Sequence, residues 1–280
     1  MSSLAGTATL TRLALRRDRI MMAAWIYALA VVAYASVAAT KKLYTTNASL
    51  AAFAASAGND RVTLALYGPA SDLNTLGGVA TWKLGVYGAI AAAVMSMFLV
   101  VRHTRGDEDA GRLELVGAGA VGRSAALTAG LLTALLANLG LGLLVTVGLV
   151  VGGLPGTDSL GFGLGVAGVG CVFAAVTALA AQLAANARTA LGVVSSVLGV
   201  AYLLRAVGDA ATPGGWLTAL SWASPIGWTL QLRPFGPLHW WVLGISALAA
   251  IVVTAAAYAL AGRRDLGTGL LAVRSGPATA

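Results

Sequence analysis

Six long apolar stretches, separated by segments rich in charge, glycine or proline, set the plan of this chain. A helix crossing the hydrocarbon core of a bilayer needs ~20 apolar residues at ~1.5 Å rise each. Stretches of that kind fall at 20–39, 84–101, 127–151, 161–181, 189–207 and 240–261. None of them holds an Asp, Glu or Lys. Arg16, Arg17 and Arg19 precede the first, as basic residues precede a secretory signal. The apolar run is longer than a signal's core, however, and Ser36-Val37-Ala38 makes a poor cleavage site, so an uncleaved helix is expected. The pattern predicts an all-α polytopic membrane protein with six transmembrane helices.

The segments between spans carry their own patterns. Arg12, Arg16 and Arg19 recur at i, i+4 and i+7, which on a helix forms one basic stripe. Residues 1–19 then read as an amphipathic interfacial helix on the inner leaflet, or as a plain basic flank without helical order. Residues 41–83 are too polar to span and are broken at Gly58-Asn59, Gly68-Pro69 and Gly77-Gly78. Short surface helices are expected there, and again in 208–237, which contains Pro213, Pro225, Pro234 and Pro237. Residues 102–123 form the most densely charged segment, with Asp107, Glu108, Asp109 and Glu114 among four arginines. Leu113, Leu115 and Val116 make an apolar ridge between those charges, suited to a partner protein's surface. The alternative is a solvated charged loop.

Composition agrees with lipid as the main solvent. Of 280 residues 58% are hydrophobic and 10% charged, against about 25% charged in a soluble domain. The net charge of +8 comes without a basic stripe interleaved with aromatics, so a nucleic-acid partner is not expected. The charge orients the chain instead. With the N-terminus inside, twelve arginines face the cytoplasm: Arg12, Arg16, Arg17, Arg19, Arg102, Arg105, Arg112, Arg123, Arg188, Arg263, Arg264 and Arg274. Only six basic residues, Lys41, Lys42, Arg61, Lys83, Arg205 and Arg233, face outward. Both termini are therefore expected in the cytoplasm, with 20–262 as the membrane domain and 263–280 as a cytoplasmic tail. Trp216, Trp222, Trp228, Trp240 and Trp241 crowd the approach to the last span, suiting the outer membrane–water interface or, alternatively, a packed core.

Several familiar chemistries find no footing. Cys171 is the only cysteine, which rules out an intramolecular disulfide or a Cys-rich zinc site. Gly163-Leu-Gly165-Val-Ala-Gly168 matches a dinucleotide fingerprint but lies inside a span, where Gly161, Gly165 and Gly168 instead permit close helix approach. No lysine follows a glycine-rich loop, so ATP cannot bind in the P-loop manner. Proton-coupled transport usually needs a titratable group at membrane depth. The polar residues singled out within the spans, Asn138, Thr133, Thr146, Thr177, Ser195, Ser196 and Thr254, can join helices but not relay protons, and Arg205 near an outer end either snorkels or pairs with Asp209. The energy source must lie elsewhere. A second reading keeps the chemistry in this chain: a membrane-embedded transferase using Mg²⁺ at Asp107, Glu108 and Asp109.

The charged loop resembles that of ABC-2 type permeases, in Glu108, Gly111, Arg112-Leu113-Glu114-Leu115 and Gly119-Ala120-Val121-Gly122-Arg123. Ser224-Pro225-Ile226-Gly227-Trp228, Arg233-Pro234-Phe235, Leu204-Arg205-Ala206-Val207-Gly208-Asp209 and Arg263-Arg264-Asp265-Leu266-Gly267 look like one subgroup, the actinobacterial polyketide-antibiotic (tetronasin-type) exporter permeases. The resemblance implies a type V exporter-like fold in the bacterial plasma membrane that moves hydrophobic compounds outward. The loop would be a coupling helix seated in an ABC ATPase subunit, with Leu113, Leu115 and Val116 as apolar contacts and Glu108, Arg112 and Glu114 as polar ones. Two ATPase copies would bind the ATP and Mg, so this chain would need no cofactor and be no enzyme. The N-terminal basic helix resembles the interfacial connecting helix of that fold. Members of the subgroup commonly carry two six-helix halves. This chain resembles one, so either it pairs with an identical chain or it is the first half of a longer product.

Overall fold

The computed structural model describes residues 3–57, 60–69, 72–112 and 121–263. Among them the regular structure is entirely helical. Six helices are long and apolar enough to cross a bilayer. They are α1 (Thr7–Leu43), α4 (Leu76–His103), α6 (Ala125–Val151), α7 (Gly156–Leu183), α8 (Ala187–Ala210) and α11 (Trp241–Ala261). Each contains or nearly coincides with one of the six stretches read from the sequence. The shorter α2 (Asn47–Ala57), α3 (Arg61–Tyr67), α9 (Ala219–Trp222) and α10 (Pro225–Gln231) cluster in the two segments where breakers recur. A fifth short helix, α5 (Arg105–Asp109), opens the charged loop.

The largest departure from expectation is α1. It runs unbroken for 37 residues, ~55 Å of rise, so the basic stretch and the first span are one helix, not a separate interfacial helix joined to a span. The cause is local: no glycine or proline interrupts 7–43, and helix propagation is favourable once nucleated. Gly6, at φ 83°, ends it on the N-terminal side, and a Cβ there would press on the Val121 side chain.

Helices α4 and α7 form the centre. Their apolar windows are 72% buried, against 17% for α1 and α11 and 28% for α8, which therefore present most of their surface outward. Small residues allow the close packing. A Cβ on Gly142 of α6 would lie 2.8 Å from the carbonyl oxygen of Gly163 on α7, so backbones touch where those two glycines cross. Gly165 and Gly168 face Leu232 and Ser246, and Gly161 faces Leu238, as the small-residue reading of this stretch requires. Of the intramembrane polar residues, Asn138 joins helices by donating to Ser96 Oγ at 2.7 Å. Thr133 and Thr177 instead satisfy themselves on the carbonyl four residues back.

At the end opposite the charged loop, the short helices are pinned by ion pairs. Arg205 is fully buried rather than snorkelling. It lies 3.1 Å from Asp209 Oδ2 and donates to the Ala65 carbonyl at 2.6 Å, which closes the C-terminal turn of α3. Arg233 grips both oxygens of Asp72, at 3.1 and 2.8 Å, and this bond raises the guanidinium's pKa further above its ordinary value. Trp216, Trp222, Trp240 and Trp241 are exposed, and Trp228, half-buried, donates to the Trp222 carbonyl. The tryptophans are therefore not a packed core.

Candidate functional site

The charged loop begins where α4 stops. Thr104 turns its hydroxyl back onto the Val100 carbonyl at 2.6 Å and leaves the helical region, so the next turn, α5, sets off in a new direction. That change of direction distributes its side chains over three spans.

Toward α1 lies a buried charge cluster. Asp18 sits on the inward face of α1 and its side chain is inaccessible to solvent. His103 Nε2 lies 2.6 Å from one of its oxygens, and Arg102 Nη1 lies 3.1 Å from the other. One residue earlier on α1, Arg17 donates to Asp107 Oδ1 at 2.8 Å. Arg112 approaches the same oxygen at 3.3 Å. His103 Nδ1 lies 3.7 Å from the second Asp107 oxygen, so the imidazole stands between two carboxylates, one on each helix. Burying Asp18 uncompensated would cost several kcal/mol, and the Arg102 guanidinium and the His103 imidazole supply the compensation.

Toward α7, Arg105 is 1% exposed; its Nε donates to the Ala181 carbonyl at 2.6 Å and its Nη1 lies 3.2 Å from Glu108. A guanidinium there complements the negative end of α7. Toward α8, Asp109 accepts the Ala187 amide at 2.7 Å while Asn186 accepts that of Thr189, so two side chains cap one helix start. The far end of the loop is held as well. The Gly122 amide donates to the Ala5 carbonyl at 2.9 Å, and the Ser124 amide to that of Ser3 at 3.0 Å. The start of the loop is thus fastened to α1 and its end to the residues just ahead of α1.

The residues expected to make up the site divide accordingly. Glu108 and Arg112 belong to this network, and Gly111, at φ 67°, turns the chain just before Arg112 with open space around it. Leu113, Glu114, Leu115 and Val116 lie outside the described residues. Arg12, Arg16 and Arg19 form an exposed stripe, whereas Arg17 is turned to the loop. Asp107, Glu108 and Asp109 do not converge, because each carboxylate is taken by a different partner: Arg17 with Arg112, Arg105, and the start of α8. That divergence removes the geometric basis for a shared Mg²⁺ site. Sequence reasoning missed Asp18 and the part played by His103. The only signal was one acid inside the arginine cluster Arg16-Arg17-Asp18-Arg19.

No family model matches the chain. It is 41% identical, over all 280 residues, to the multidrug efflux system permease protein Rv1217c of Mycobacterium tuberculosis. The match takes in 50% of that protein, so the chain spans about half the length of this relative. Six helices long and apolar enough to cross a bilayer, together with this likeness, mark a multi-pass protein of the bacterial plasma membrane.

Proposed function

We propose that this chain is one membrane-spanning half of an ABC exporter permease, carrying hydrophobic compounds outward and driven by a separate ATPase. The observation that carries this reading is the fastening of loop 102–123. A solvated loop needs no such ties, yet at its start this one makes buried contacts to α1 through His103 and to α7 through Arg105, Asp109 caps α8, and at its far end Gly122 and Ser124 bond to residues 5 and 3 just ahead of α1. A push on residues 102–112 reaches α1, α7 and α8 through these contacts. In this reading the loop faces the cytoplasm, its 113–116 ridge seats in the ATPase, and the exposed stripe of Arg12, Arg16 and Arg19 rests on anionic lipid. The exposed tryptophans at the other end mark the outer interface. The second half is an identical chain or the remainder of a tandem protein, two ATPase subunits supply ATP and Mg, and no catalytic step belongs to this chain.

The test is co-purification in nanodiscs. The chain alone hydrolyses no ATP; with an ABC ATPase encoded beside it, the mixture forms a stable complex with vanadate-sensitive turnover. Leu113→Asp leaves the permease folded and abolishes the stimulated turnover. An ATPase that neither binds nor responds refutes the proposal.

A further inference from the structure

Most of α8 faces outward. On that face Val193, Val197 and Val200 recur at i, i+4 and i+7 and form one exposed ridge. Gly192, Ser195 and Gly199 form an exposed row of small residues beside it. A Cβ on either glycine would meet nothing within 4 Å, unlike Gly142 and Gly163, whose space a neighbouring helix already takes. Ser196 stands between ridge and row, one helical turn from Val193, Val200, Gly192 and Gly199. On the side of the small row, α8 and α4 flank an apolar groove of about 460 Å³, with Val94 and Phe98 on one wall and Ser195 and Gly199 on the other. The groove follows α8 from Leu191 to Tyr202, ~16 Å of rise, and the valine ridge is ~10 Å long.

We infer that this face pairs with the same face of a second copy of this chain. The inference rests on the reading of the chain as one permease half, which needs a companion; the chain accounts for 50% of the length of its relative. Lipid tails are as apolar as leucine, so membrane helices associate where small side chains let backbones approach. The other outward helices show bulky residues instead: Val31 and Tyr34 on α1, Leu136 and Leu143 on α6, Leu248 and Ile251 on α11. The α8 face is also complementary to itself. Ridge and groove lie on opposite sides of Ser196, so a two-fold axis along the membrane normal seats each chain's valines in the other's groove, an isologous contact that closes on itself. The Ser195 hydroxyl, without a hydrogen bond among the described residues, then gains a second helix to bond.

The test replaces Cys171, the only cysteine, by alanine and adds single cysteines to that background, with the chain diluted in proteoliposomes. Oxidation joins Ser196→Cys chains into disulfide-linked dimers, whereas Leu248→Cys on α11 leaves monomers, although Leu248 is 63% exposed. Gly199→Leu, placed in open space within its own chain, lowers the association constant about ten-fold by single-molecule photobleaching. Gly244→Leu on α11, equally open, does not. Chains that remain single overturn the inference, and a lipid or hydrophobic solute filling the groove gives that result. Equal cross-linking at the two positions overturns it as well, as does a Gly199→Leu variant that pairs normally. A chain that stimulates its ATPase while α8 stays uncross-linked refutes the pairing alone. One that pairs through α8 and engages no ATPase upholds the pairing and refutes the permease reading alone.

Discussion

Asp18→Asn removes one negative charge and changes almost nothing else in shape. In the native chain that carboxylate, shielded from solvent, faces His103 at 2.6 Å and Arg102 at 3.1 Å. The two partners respond differently. Arg102 is 41% exposed and regains water when its partner is neutralised, so its share of the loss is small. His103 is 6% exposed and cannot, so the loss of its charge-assisted bond, ~1.5–3 kcal/mol, falls almost wholly on the stem of the loop. A local loss of ~2 kcal/mol corresponds to ~30-fold faster opening. Hydrogen exchange at the α5 amides reads this directly: exchange accelerates by that factor in Asp18→Asn, while amides of the α7 centre are unchanged. A double-mutant cycle with His103→Gln isolates the pair and gives a coupling energy of ~1.5–3 kcal/mol. Assembled with the ATPase of the proposed exporter, the same variant permits ATP turnover by that ATPase but moves less substrate per ATP. Additivity within ~0.5 kcal/mol, or unchanged exchange at α5, refutes the claim that this buried contact holds the loop to α1.

Other perturbations test the packing. Gly142→Ala places a methyl 2.8 Å from the Gly163 carbonyl and costs ~1–3 kcal/mol, read as a lower unfolding temperature; Gly192→Ala, with nothing within 4 Å, does not. Arg205→Leu leaves the buried Asp209 without its cation and costs ~3–5 kcal/mol, whereas Arg205→Leu with Asp209→Leu costs less, because no buried charge is stranded. Asp60 caps α3, and the Thr63 hydroxyl, with the amides of Thr63 and Val62, holds its carboxyl below the ordinary value. Because that pKa is depressed on folding, the cap is intact above about pH 4 and is lost as pH falls through the lowered value. Exchange of the Val62 and Thr63 amides therefore rises, relative to neighbours, on acidification below that point, and Asp60→Asn abolishes the change.

The spans were legible because lipid imposes a simple length rule on apolar runs, and no tertiary contact overrides it. Arg205 with Asp209 was legible for a similar reason: a spacing of four places both on one helix face. The continuity of α1 was not read, although the absence of glycine and proline was plain, because the change from charge to apolar residues suggested a boundary between elements. The Asp18–His103 contact was out of reach in principle. Its partners stand 85 positions apart, and only the packing of α1 against α4 brings them together. The same holds for Arg105, whose partner is the Ala181 carbonyl, 76 positions on. The Mg²⁺ reading failed because adjacency in sequence is not convergence in space: three successive carboxylates on one helical turn point in three directions.

The separation between Asp18 and His103 also sets a clock on biosynthesis. A ribosome adding ~5–20 residues per second needs ~4–17 s to reach the second residue after making the first. For that interval Asp18 has neither His103 nor Arg102 beside it, and an uncompensated acid is not drawn into lipid. It stays in water with Arg16, Arg17 and Arg19 around it until α4 is made. When α4 emerges, the pair closes and the first helical hairpin is locked before any later span exists. The contact that ties the loop to α1 in the finished protein is thus available from the moment the second span is complete.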